Sequence, residues 1–147
     1  MKRLPSPLQI IKVDYLSSLG AIIPIVLWAM TLFMRLINSQ AFGWFLSIAP
    51  ITTAAALALI FWRVQFIRAV FEHGDEVPGI LVAAEVFRGR GRLEYVYTYQ
   101  SQKYQSGNAV QAVKLLPLQA PGQSVTVVVD RNRPKRSFLR DIYLQRP

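Results

Sequence analysis

The sequence has no cysteine, a single histidine (His73) and only 8 acidic residues against 17 Lys and Arg. Without cysteine there is no disulfide framework, thiolate zinc site, iron–sulfur ligation or thiol nucleophile, and one histidine cannot by itself build a His-rich metal site. Charge of either sign is scarce for the length: 17% of 147 residues, against 52% hydrophobic. A net charge of +9 on so apolar a chain points to an acidic counterpart, anionic lipid or nucleic acid, if the cations gather in space.

Two stretches carry no Asp, Glu, Lys, Arg or His: residues 15–34, 20 in number, and residues 38–62, 25 in number. Each is long enough as a helix, at about 1.5 Å per residue, to cross the roughly 30 Å of bilayer hydrocarbon. Tyr15 opens the first, and Trp44 and Trp62 lie near the two ends of the second, as interfacial aromatics do. Trp28 falls mid-span and needs a partner helix or lipid for its indole. Pro24 and Pro50 sit inside the runs, which membrane helices tolerate; a kink is expected near each. Two helices buried on all sides in a soluble core would need further layers that the remaining strand-like residues do not supply. A cleaved signal peptide would fit the basic Lys2-Arg3 start, but the first run is long, contains Pro24 and has no small-x-small site before Arg35.

The expected organisation is therefore a basic arm over 1–14, two transmembrane helices at about 15–36 and 41–62, a helical stalk to 73, and a soluble β-domain over 74–147. The flanking cations Lys2, Arg3 and Lys12 on one side and Arg63 and Arg68 on the other outnumber the lone Arg35 of the connection. The positive-inside rule then puts both termini in the cytoplasm and the Asn38-Ser39-Gln40 hairpin outside, in a multi-pass inner-membrane protein. Lys12, Arg35, Arg63 and Arg68 are the candidate headgroup contacts. Ala54, Ala55, Ala56 and Ala58 would allow close helix packing, within the hairpin or against a partner helix. Gly74 is expected to end the stalk as a left-handed cap.

After Pro78-Gly79 the period changes to two. Ile80, Val82, Ala84 and Val86 alternate, then Leu93, Tyr95, Tyr97 and Tyr99, then Val125, Val127 and Val129, residues that favour strands. Gly89-Arg90-Gly91 reads as a hairpin turn, Ser106-Gly107-Asn108 as a turn or bulge, Pro121-Gly122 as a turn, and residues 137–143 as a last strand. About five short strands suggest a small antiparallel barrel or bent sheet. The fold class is membrane α + β: a two-helix hairpin followed by that domain.

The run Val77-Pro78-Gly79-Ile80-Leu81-Val82, Tyr97-Thr98-Tyr99, Tyr104, Gly122-Gln123-Ser124-Val125-Thr126-Val127, and Asp130 with Pro134-Lys135-Arg136-Ser137 resembles the bacterial domain-of-unknown-function family 3592. The resemblance implies membrane helices joined to a small β-domain. It carries no catalytic residue and no cofactor.

Chemistry has few footholds. His73 with Asp75 could imitate part of a triad, but a histidine at a helix end also complements the carbonyl dipole. Glu85 and Glu94 could act as an acid–base pair, or simply pair with Arg88 and Arg92. Neither span carries the interior acid or base of a proton path. Gly89-Arg90-Gly91-Arg92 before Tyr95, Tyr97 and Tyr99 could serve single-stranded nucleic acid by stacking, although three tyrosines on one strand face also make a core. Arg131, Arg133, Lys135, Arg136 and Arg140 form the densest cation cluster, a candidate surface for anionic headgroups or an acidic partner. The reading is a non-enzymatic membrane protein with an interaction or assembly module, partnered by the bilayer and by another membrane protein or a second copy. A tethered nucleic-acid binder is the alternative.

Overall fold

A computed structural model describes residues 4–112 and 121–144. Helix α1 (Pro7–Val13) starts on Ser6, whose hydroxyl accepts the Gln9 N–H, with proline in the first turn where no donor is missed. Helix α2 (Tyr15–Leu36) follows after one residue. Asp14 closes α1 in an extended conformation and caps α2, its carboxylate accepting from the Ser17 N–H at 3.0 Å and hydroxyl at 2.8 Å. Helix α3 (Phe42–His73) runs unbroken for 32 residues, roughly 48 Å. Both helices continue through their internal prolines.

The two long helices pack side by side. Trp28 Nε1 donates to Thr53 Oγ1 at 3.0 Å, giving the mid-span indole its helix partner. Within the hairpin, one of the four expected alanines is buried. Gly20, Ala49 and Ala56 are buried, with Gly20 set against Ile60, whereas Ala54, Ala55 and Ala58 are exposed. At 100° per residue the alanine run circles the helix, so only some of its members can face α2.

The arm and the stalk are not appendages. Ile10 and Val13 of α1, and Val64, Ile67, Val70 and Phe71 of α3, are buried in the same core as the inner face of the sheet. Each such side chain contributes about 1.5–3 kcal/mol by leaving water. Gly74 ends α3 at φ −76°, extended rather than left-handed. Glycine is needed there for a different reason: a Cβ would lie 2.4 Å from the Val70 carbonyl oxygen and 2.6 Å from that of Val129.

Five strands follow: β1 (Asp75–Phe87), β2 (Arg90–Tyr99), β3 (Gln102–Gln111), β4 (Ser124–Val129) and β5 (Ser137–Leu139). They form one antiparallel sheet in the order β3-β2-β1-β4-β5. The first hairpin turns on Arg88-Gly89, both at positive φ, with Arg90 and Gly91 already paired in β2. The second turns on Gln100-Ser101 (φ 49° and 64°), not at Ser106-Gly107-Asn108, which lies inside β3. Two positive-φ residues are the primed-turn geometry usually signalled by Asn-Gly, and Gln-Ser gives no such signal. Gly107 instead permits close approach to the Leu93 carbonyl. The Pro121-Gly122 turn precedes β4 as expected. The last strand is shorter than expected, because residues 140–143 form the helical turn α4 (Arg140–Tyr143), which buries Ile142 and Tyr143.

The sheet is almost closed. Its edges β3 and β5 are joined by Asn108, whose Oδ1 accepts from the Leu139 N–H at 3.1 Å and whose Nδ2 donates to the Ser137 carbonyl at 3.1 Å. Tyr95 Oη bonds both Asn108 and Ser137 from inside. Gly74→Ala should cost about 1–3 kcal/mol through overpacking against backbone, seen as a lowered unfolding midpoint in mild detergent. Gly43→Ala, with open space around its Cβ, should leave that midpoint unchanged or raised.

Candidate functional site

A cluster of buried polar and aromatic side chains lies where the long helices meet the β-domain. Asp14 is 1% exposed, and Arg63, 22% exposed, grips it with two bonds: Nη2 to Oδ1 at 2.9 Å and Nε to Oδ2 at 3.2 Å. The fork geometry suits a carboxylate, and neither group could be buried cheaply alone. The Arg63 guanidinium also lies 5.9 Å from the Phe66 ring and 5.7 Å from that of Phe138. Phe66 stacks on Trp62 at 5.8 Å and carries Arg136 above it at 5.2 Å. Beside this cluster the Tyr143 hydroxyl is buried; burial first, then the Asp14 charge, push its pKa upward. Burial likewise raises that of Tyr95.

The start of β2 and the end of β3 also reach α2. The Arg90 guanidinium sits 5.5 Å from the Tyr15 ring, and Gln111, the register partner of Arg90, hydrogen-bonds Ser18. Asp14 itself bridges to Val110 of β3.

The expected headgroup cations divide. Lys12 is exposed on α1, and Arg68 is half-buried on α3. Arg35 is exposed at the opposite end, over the Phe42 ring. Arg63 is turned inward to Asp14 and keeps only part of its surface exposed. Of the C-terminal cluster, Arg131 bonds Asp75 at 2.7 Å, Arg140 pairs with Glu76 at 3.2 Å, and Arg136 covers Phe66. Arg133 and Lys135 are exposed, and among the described residues neither is ion-paired.

His73 interacts with the Ala69 carbonyl at its own helix end, while Asp75 takes Tyr99 and Arg131. Glu94 pairs with Arg92 at 2.8 Å, and Glu85 stands opposite Arg92 in the ladder. Tyr95, Tyr97 and Tyr99 point into the core. Asp14 and Asn108 were missed as key residues. The signal for Asp14 was an acid set against a long apolar run, which must find a cation once buried. The signal for Asn108 was hidden because Ser-Gly-Asn also spells a turn.

A comparison with protein families matches residues 77–141 to the model of a domain of unknown function (DUF3592). The matched stretch lies within the β-domain and is similar to that family. No curated protein and no solved structure matches the chain. The matched residues take in the last eleven residues of β1, all of β2 to β5 and the first two residues of α4, but Asp14, Arg63, Ile142, Tyr143 and the α1 and α3 side chains that complete the core lie outside them.

Asp14→Asn keeps an acceptor for the α2 cap but leaves Arg63 uncompensated. Stability should fall by about 3 kcal/mol, the low end for a broken buried pair because Arg63 keeps some solvent. Adding Arg63→Gln should restore part of the loss, a coupling that denaturation of the single and double variants in detergent would reveal.

Proposed function

We propose that the chain is a non-enzymatic integral membrane protein of the bacterial inner membrane, with α2 and α3 crossing the bilayer and the β-domain held at the cytoplasmic surface as an interaction or assembly module. One observation carries the reading. Only 22% of the most apolar window of α2 and 11% of that of α3 is buried, so Ile25, Ile51, Leu57 and Phe61 face outward. Helices of a soluble core are buried; these leave far more contiguous apolar surface than water-soluble monomers carry. Asp14, at the start of α2, and Arg63, where α3 leaves its apolar stretch, are tied on the side of the domain, which agrees with a hairpin, and the cation bias supports the cytoplasm as that side.

What supports an interaction role is the surface left over. Arg133 and Lys135 offer a small cationic site to an acidic partner, and Ala54, Ala55 and Ala58 offer a flat helix face to a second copy or another membrane protein. Nucleic-acid binding has less in its favour, because the tyrosine rings needed for stacking are occupied by the core.

Two measurements test this. Ser39→Cys and Thr98→Cys should be labelled by membrane-impermeant maleimide from opposite sides, Ser39→Cys from outside in intact spheroplasts and Thr98→Cys only in inverted vesicles; labelling from one side overturns the hairpin. Replacing Ala54, Ala55 and Ala58 together by Leu should reduce cross-linked association in mild detergent several-fold, and unchanged association would remove that face from the proposal.

A further inference from the structure

The β1–β2 hairpin ends in Val86-Phe87-Arg88-Gly89-Arg90, with Val86 61% and Phe87 69% exposed. A single exposed apolar residue needs no explanation, but these two occupy a particular place. The Asp14–Arg63 pair marks one level along the helices. Ser18, bonded to Gln111, lies one helical turn beyond Asp14, about 6 Å farther along α2. Gln111 pairs with Arg90, and the Ala112 N–H donates to the Gly89 carbonyl at 3.1 Å. The hairpin tip is therefore held one turn toward the apolar part of α2, beside Tyr15, the first residue of the span.

The chemistry of the tip matches that level. Val86 continues the inner face of β1, where Ala84 pairs with Leu93 and Val86 with Gly91. The sheet here outruns the core, so Val86 on the inner face and Phe87 on the outer are both exposed, with no layer over them among the described residues. Arg88 lies 5.1 Å from the Phe87 ring, and Arg90 rests on Tyr15. An apolar pair flanked by two arginines that lean on aromatic rings is the composition of an interfacial segment, with rings at the acyl boundary and guanidinium groups at the phosphates.

We propose that this hairpin tip is a third contact with the bilayer: Val86 and Phe87 enter the headgroup–acyl boundary, while Arg88 and Arg90 hold anionic lipid phosphates. The occupant is the surface of the membrane that α2 and α3 cross, so the inference rests on the spanning reading. The hairpin then adds a membrane contact to a domain that the buried α1 and α3 side chains already hold against the helices.

The absence of native cysteine makes the test direct. Full-length Val86→Cys, Thr98→Cys and Leu57→Cys variants, each carrying an environment-sensitive fluorophore, are placed in phosphatidylcholine vesicles with or without phosphatidylglycerol and quenched by lipids bearing a nitroxide near the headgroup or deep in the chain. Phe87 stays in place throughout. The expected result is deep quenching at position 57, shallow quenching at 86 several-fold above that at 98, and a rise at 86 with phosphatidylglycerol. Arg88→Gln with Arg90→Gln should abolish that rise, the docked-to-undocked ratio falling about fivefold per arginine. Deep quenching at 57 with position 86 as aqueous as 98 overturns the hairpin contact and leaves the spans intact. No quenching at 57 overturns both.

Discussion

Asp14 has to be neutralised, and much of the architecture is arranged around that requirement. A carboxylate taken almost wholly out of water costs several kcal/mol unless a cation and hydrogen-bond donors meet it. Arg63 supplies the cation and Ser17 the donors. Because Asp14 ends one helix and begins the next, and Arg63 stands where α3 leaves its apolar stretch, one pair fastens three helical segments at a common level. The lower part of α3 is thereby drawn into the β-domain core. The domain does not swing on a stalk; the stalk is one wall of it.

Closure of the sheet uses a second substitution of side chain for backbone. A five-stranded sheet this short leaves two edges, and open edges invite pairing with other chains. Asn108 presents a carboxamide, chemically a peptide group, to the backbone of β5, and the Tyr95 hydroxyl supports it from below. The tyrosines of β2 thus do two jobs, filling the interior with their rings and satisfying the seam with their hydroxyls. A binding role that needed their faces would compete with both.

Sequence reasoning succeeded where the signal is periodic. The two uncharged runs become α2 and α3 within a residue or so of the expected limits, and the alternations in β2 and β4 give strands buried on one face; β1 is a strand too, but its alternating Ile80, Val82 and Val86 are exposed while Leu81 is buried, with a bulge between Leu81 and Ala83 shifting the register. It failed where the decisive partner is remote. Gln100-Ser101 turns because the flanking strands pair, Gly74 is needed because Val129 comes back beside it from far along the chain, and the choice between Ala56 and Ala55 depends on which way α2 approaches. The same blindness applied to the site: Arg63 looks like any cation beside a span until Asp14, 49 residues earlier, is found beneath it.

The account stands on the outward faces of α2 and α3 being solvated by lipid. The direct measurement is the behaviour of the intact chain after washed membranes are treated with alkaline carbonate and then transferred to plain buffer. It should remain in the pellet and be released, monodisperse, only by detergent. A full-length chain that left the membrane and ran as a monomer without detergent would contradict the account.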